Sequence, residues 1–156
     1  MVRTARMALL ITQAFVAVTA SAGGLALILG SVNPSWGLVL VPPAEYLEGS
    51  PFTSYTIPGL LLIVGVAGVH VAAFVLTLSG SRWAAPLSAA GGFACLIWIF
   101  VQMLYIPFSI LQALYFAVGM GELGLTMVML GILDAVTTRH RTTYLASRPR
   151  MDRARG

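Results

Sequence analysis

The chain has 156 residues, 58% of them hydrophobic and only 9% charged, which describes one membrane domain and leaves no length for a soluble one. Its net charge of +4 rests on nine arginines without a single lysine. These arginines flank apolar stretches or sit in a short tail, with no aromatic residues interleaved to stack bases, so the basic balance does not point to nucleic acid.

Four stretches, residues 7–30, 59–79, 84–106 and 111–136, each hold the roughly 20 apolar residues needed to cross about 30 Å of hydrocarbon. With no water there to satisfy the backbone, each must be a helix. The ten-residue alternating strands of a membrane barrel are absent. The expected fold is all-α, a four-transmembrane-helix bundle.

Arg3 and Arg6 precede the first stretch. Within it, Gln13, Ala17, Ala20 and Gly24 fall on one small-and-polar face at about 100° per residue. Met1–Arg6, the apolar run and Ala20-Ser21-Ala22 imitate a signal peptide with its cleavage site. Apolar character continues through Leu25–Leu29, too long for a signal h-region, so a retained helix is expected. The connection at 31–58 is long and carries Pro34, Pro42, Pro43 and Pro51 beside Trp36, Leu38, Val39, Leu40, Tyr46, Phe52 and Tyr55. Such a segment should fold onto the end of the bundle and the lipid interface. One short turn at 43–47 is expected there, and no longer helix.

Pro58 opens the second helix, where its missing N–H costs nothing, and His70 lies inside that helix. Arg82 and the interfacial Trp83 come before the third, which Pro86 opens. On the third helix Gly91, Cys95, Trp98, Gln102 and Tyr105 share one face. Cys95 is the lone cysteine, so an internal disulfide and a CxxC redox pair are excluded and a packed thiol is expected. A tight turn at 107–109 makes the third and fourth helices antiparallel neighbours, with Tyr105 and Tyr115 at interface depth. Tyr115, Gly119, Glu122 and Thr126 share one face of the fourth helix. Gly65/Gly68 and Gly121/Gly124, with Gly131 further on, read as close-approach packing surfaces. Asp134 ends the fourth helix, and the tail at 137–156 sets six arginines against Asp152. A disordered cytoplasmic tail with weak attraction to anionic lipid headgroups is expected.

Charge asymmetry sets the orientation. Both termini and the Arg82 connection carry all the basic residues, so they are expected on the cytoplasmic side of the plasma membrane, with 31–58 and 107–110 outside.

Glu122 is the most informative residue, since an ionisable group at that depth costs on the order of 2–3 kcal/mol. Counting about 1.5 Å per residue, Glu122 lies roughly 16 Å and His70 roughly 18 Å below the outer ends of their helices. The two are expected to hydrogen-bond or share a proton across the bundle, with Gln102 nearer the outside. Two readings stand for this set: side chains that hold helices together, or a ligand or proton site. Two axial haem ligands, a zinc set and the P-loop, GxSxG and HExxH patterns are all missing from the sequence. No metal, cofactor or catalytic activity is therefore expected.

The runs GSPFTSYTIPGL at 49–60, LIWIFVQM at 96–103 and LQALYFAVGMGELGL at 111–125 resemble small four-helix integral membrane proteins of high-GC, actinobacteria-like genomes. That resemblance covers most of residues 7–136 and implies the four-span fold. It transfers no functional residue. The leading expectation is a non-enzymatic accessory or interaction subunit, self-associating through its glycine faces or joining a larger membrane complex. The rival is a binder or carrier of a small hydrophobic molecule, with the 36–57 segment as a lid and Gln102, Glu122, His70, Trp98 and Tyr105 lining the pocket.

Overall fold

A computed structural model describes residues 2–131 of the chain. Helix α1 spans Val2–Val32, and a short helix α2 spans Pro34–Leu40. Helix α3 spans Thr56–Leu78, α4 spans Ala84–Tyr105 and α5 spans Ile110–Met129. The four long helices are apolar enough to cross a membrane, which makes the chain a multi-pass membrane protein in architecture.

Each helix is delimited by local chemistry. Pro58 lies in the first turn of α3, where no intrahelical donor is needed. At the other end of α3, the Gly80 N–H reaches Thr77 O at 3.3 Å and the Ser81 N–H reaches Leu76 O at 3.0 Å. This crossed pair is a Schellman ending, and it requires the left-handed backbone that Gly80 adopts at φ 66°. Arg6 completes the end by donating to Thr77 O at 2.9 Å and Leu78 O at 2.9 Å. A guanidinium on the last carbonyls of a helix is favoured by the helix dipole. Ser109 starts α5 with a capping box, accepting from the Gln112 N–H while Gln112 Oε1 accepts from the Ser109 N–H.

The elements differ from expectation in four places, the first being helix α3, which begins at Thr56 and not at the expected 59. Helix α1 begins at Val2 and carries Arg3 and Arg6 on helical backbone. Helix α5 ends at Met129, with Gly131 at φ 67°, short of the expected 136, because a left-handed glycine stops the helix. The remainder of the expected helix, 132–136 with Asp134, and the tail at 137–156 lie outside the described residues. The 31–58 connection holds a seven-residue helix, Pro34–Leu40, that was not expected, as well as a 3-10 turn at Ala44–Leu47. Asn33 caps that helix by accepting from the Ser35 N–H at 3.1 Å, and Pro34 occupies its first position.

In cross-section the long helices form a square. Helix α1 packs beside α3 and α5, and α4 packs beside α3 and α5. The diagonals are therefore α1 to α4 and α3 to α5. One end of the bundle carries Arg6 and the Arg82 turn; the other carries the 31–58 connection. These are called the arginine end and the loop end. Close approach between neighbours rests on glycines without a Cβ. A Cβ on Gly24 would lie 2.6 Å from Gly59 O, and one on Gly92 would lie 3.1 Å from Gly119 O. Gly24 and Gly119 lie on faces expected to turn inward, but the glycine pairs read from the sequence as close-approach surfaces are elsewhere. Gly65, Gly121 and Gly124 face outward, with open space where a Cβ would stand. Within this chain they do not pack.

Candidate functional site

The middle of α3 is not a regular α-helix. Leu62–Gly68 forms a π-helical segment, a form that widens the helix by one residue per turn and is frequent at functional sites. His70 follows immediately. Its Nδ1 lies 2.7 Å from the carbonyl oxygen of Val66, inside that segment. A carbonyl only accepts, so Nδ1 carries the proton and donates it.

On its other side His70 Nε2 lies 2.9 Å from Glu122 Oε2, with both side chains completely buried. This contact joins α3 to α5 along a diagonal, through the centre of the bundle. Room for it comes from α4, where Gly91 stands against the pair. A Cβ there would lie 3.3 Å from Glu122 Oε1 and 3.4 Å from His70 Nε2. Because Nδ1 is already a donor, Nε2 brings a hydrogen only if the ring is positively charged. The contact therefore contains one shared proton, either on Glu122 facing a neutral ring or on the ring facing a carboxylate. With no proton, two lone pairs would oppose each other at hydrogen-bonding distance.

The second diagonal is closed in the same way. Gln13 on α1 donates to Ser88 Oγ on α4 at 2.7 Å, and Ser88 Oγ donates to the carbonyl of Ala84 at 2.7 Å. Both Gln13 and Ser88 are fully buried. Ser88 precedes Gly91 by three residues, so the two crossings sit about 4.5 Å apart along the axis. Polar side chains that meet across helices are a common source of cohesion in lipid, at about 0.6 kcal/mol on average and up to about 1.7. Three buried oxygens around these crossings have no hydrogen-bond partner: Glu122 Oε1, Gln13 Oε1 and Thr77 Oγ1. Thr126, one turn further along α5, donates to Glu122 O at 2.8 Å and leaves the carboxyl free.

Towards the loop end the pair is covered by an apolar layer. Val16, Ala20, Val66 and Ala67 form it, with Leu62, Trp98 and Val118 packed around them. Beyond this layer lie two cavities. One, of about 370 Å³, is bounded by all four long helices and includes Cys95, Trp98, Gln102, Gln112 and Tyr115 in its wall. The other, of about 420 Å³, lies between α3 and α4 beneath the connection and includes Tyr46, Phe52, Tyr55, Trp98, Gln102 and Tyr105. Trp98 and Gln102 belong to both walls. Buried Tyr55 donates from its hydroxyl to Pro43 O at 2.8 Å and ties the connection over the second cavity.

The expected site residues thus separate into two groups. His70 and Glu122 meet at mid-bundle. Trp98, Gln102 and Tyr105 line the loop-end cavities, whose walls contain neither His70 nor Glu122. Cys95 is buried and lies 3.4 Å from Tyr115 O. Two features escaped sequence reasoning. The Gln13–Ser88 crossing needs the relative rotation of α1 and α4, which spacing does not supply. The π segment has no composition signal in LIVGVAG. Among the described residues no group of three or more His, Cys, Asp or Glu side chains is placed to hold a metal ion. No family model, no curated protein and no solved structure matches this chain.

Proposed function

We propose that the chain is a non-enzymatic plasma-membrane protein that binds a small hydrophobic, lipid-like molecule in its loop-end cavities. Both termini and the Arg82 turn are cytoplasmic in this reading, and the cavities lie in the outer half of the bilayer, supported by the arginine asymmetry. The observation that carries it is the pair of adjoining cavities, about 370 and 420 Å³, within the range that small ligands occupy. Their shared wall is apolar apart from the Gln102 amide and the Trp98 indole, which suits an aliphatic body with one hydrogen-bonding group. The Pro34–Leu40 helix, with Leu38 95% exposed and Val39 83% exposed, presents an apolar face that lies in the lipid interface beside the entrance. No metal or cofactor enters this reading, and no nucleic acid.

The test is native mass spectrometry after purification in a mild detergent. A hydrophobic adduct of defined mass is expected on the parent chain, lost in Ala94→Phe and Ala26→Phe, which fill one cavity each. An adduct that survives both substitutions refutes the reading.

A second reading, the accessory or self-associating subunit, is supported by a separate observation. Gly121 and Gly124 leave open backbone on an outward face of α5, the surface that close helix association in lipid uses. Gly121→Leu should then lower the oligomer mass in light scattering and leave the adduct in place. The arginine-rich tail at 137–156 adds attraction to anionic headgroups in either reading.

A further inference from the structure

The two diagonal crossings belong to a longer polar array with a direction. Starting at the arginine end, Arg6 holds Thr77 O and Leu78 O. Thr77 Oγ1 is buried beside them without a partner. One step inward come Ser88 and Gln13, with Gln13 Oε1 unpartnered, and then Glu122 Oε1 and the His70 contact. Thr77 is seven residues from His70 on the same helix, roughly 10 Å. Each level along this path offers one buried acceptor with no protein donor. Acceptors spaced about one helical turn apart are what single internal waters bridge. In the other direction the next layer is apolar, Val16, Ala20, Val66 and Ala67, and the Cys95 thiol beside it is already directed to Tyr115 O at 3.4 Å.

We propose that His70 and Glu122 form a proton-binding site that exchanges only with the arginine end, through Gln13, Ser88 and Thr77, and is closed to the loop end. The valence of the contact requires the proton, because Nδ1 is committed to Val66 O. Glu122 Oε1 is the exchange atom. A proton accepted there gives a transiently doubly protonated pair, and the carboxyl turns to interchange its two oxygens. The original proton then leaves from Oε1 by the same polar series, which restores the charge of the pair. The groups facing the pair are otherwise neutral. Helix α4 brings Gly91 and the Cys95 thiol, and α1 brings Gln13, with Arg6 remaining at the helix end. Leu9, between Arg6 and Gln13 on α1, is fully buried at this end of the bundle. The site is separate from the loop-end cavities and does not depend on what they bind.

The full chain in nanodiscs, with 15N-labelled histidine, is moved from H2O to D2O, and loss of the shared-proton resonance of His70 gives the exchange rate. Ser88→Ala and Thr77→Val should each slow exchange by up to about tenfold, the free-energy equivalent of one hydrogen bond. Ala26→Phe, which fills the loop-end cavity bounded by all four helices, should leave the rate unchanged. Thr77 is two turns from the pair, so Thr77→Val keeps the test intact if Ser88→Ala fails to fold. Unfolding midpoints of all three variants separate a rate effect from loss of structure. Exchange indifferent to both ladder substitutions, or slowed by Ala26→Phe, overturns the proposal.

Discussion

Replacing Glu122 by glutamine and by leucine asks where the shared proton sits and what the contact contributes. The Nδ1–H of His70 is held by Val66 O at 2.7 Å, and Nε2 faces Glu122 Oε2 at 2.9 Å. If the ring is neutral, Nε2 is an acceptor, and a glutamine NH2 placed at Oε2 donates to it with no change of volume. The cost of Glu122→Gln should then stay within about 0.6 kcal/mol, the average side-chain hydrogen bond in a membrane bundle. Glu122→Leu removes the donor and leaves the buried Nε2 without a partner, costing about 1–3 kcal/mol. If instead the ring is charged and the carboxylate is its counterion, Glu122→Gln strands an imidazolium. Breaking a buried ion pair costs about 3–5 kcal/mol, and glutamine would then be no better tolerated than leucine. The assay is equilibrium unfolding of the purified protein in mixed detergent micelles, followed by circular dichroism. A glutamine variant as unstable as the leucine variant rules out the neutral ring, and a leucine variant as stable as the parent refutes the shared-proton contact altogether.

Further outcomes follow from the same geometry. Gly24→Ala would place its Cβ 2.6 Å from the backbone oxygen of Gly59, and such overpacking should cost about 1–3 kcal/mol in the same unfolding assay. Gly124→Ala meets nothing within 4 Å and should be neutral or stabilising by up to about 1 kcal/mol through helix propensity, provided the monomer is what is measured. Ser88→Ala removes the acceptor of Gln13 and should lower stability by about 0.6–1.7 kcal/mol. Tyr55→Phe removes the tie to Pro43 O and should loosen the 31–58 connection by about 1 kcal/mol, read as faster limited proteolysis there with unchanged protection of the four helices.

Much of the architecture is written in one dimension. Hydrocarbon thickness and the prohibition on unpaired backbone turn runs of twenty apolar residues into helices, so α1, α3, α4 and α5 follow from composition alone. The inward faces were legible too, because a 3.6-residue period places Gln13, Ala17, Ala20 and Gly24, or Gly119, Glu122 and Thr126, on one side whatever the neighbours are. Equal depth of His70 and Glu122 needed only the helix rise. The Pro34–Leu40 helix was encoded as well: Asn33-Pro34-Ser35 is a cap followed by a first-turn proline, and the density of prolines around it hid the signal.

Rotation and adjacency belong to the tertiary structure. A period defines a face but not the helix it meets, so the spacing could not say that α3 and α5 lie on a diagonal, or that Gly91 of α4 opens the space between them. The same limit misassigned the packing glycines: Gly24, Gly59, Gly92 and Gly119 make the close approaches, while Gly65, Gly121 and Gly124 look outward. It also merged two sites into one. Trp98 and Gln102 share a face with Gly91, yet they stand two and three turns nearer the loop end, Trp98 packed against the apolar layer around Val66 and both in the cavity walls. One-dimensional periodicity conveys which side chains avoid lipid; which of them touch depends on helix order and rotation about the bundle axis, and only the packed chain specifies those.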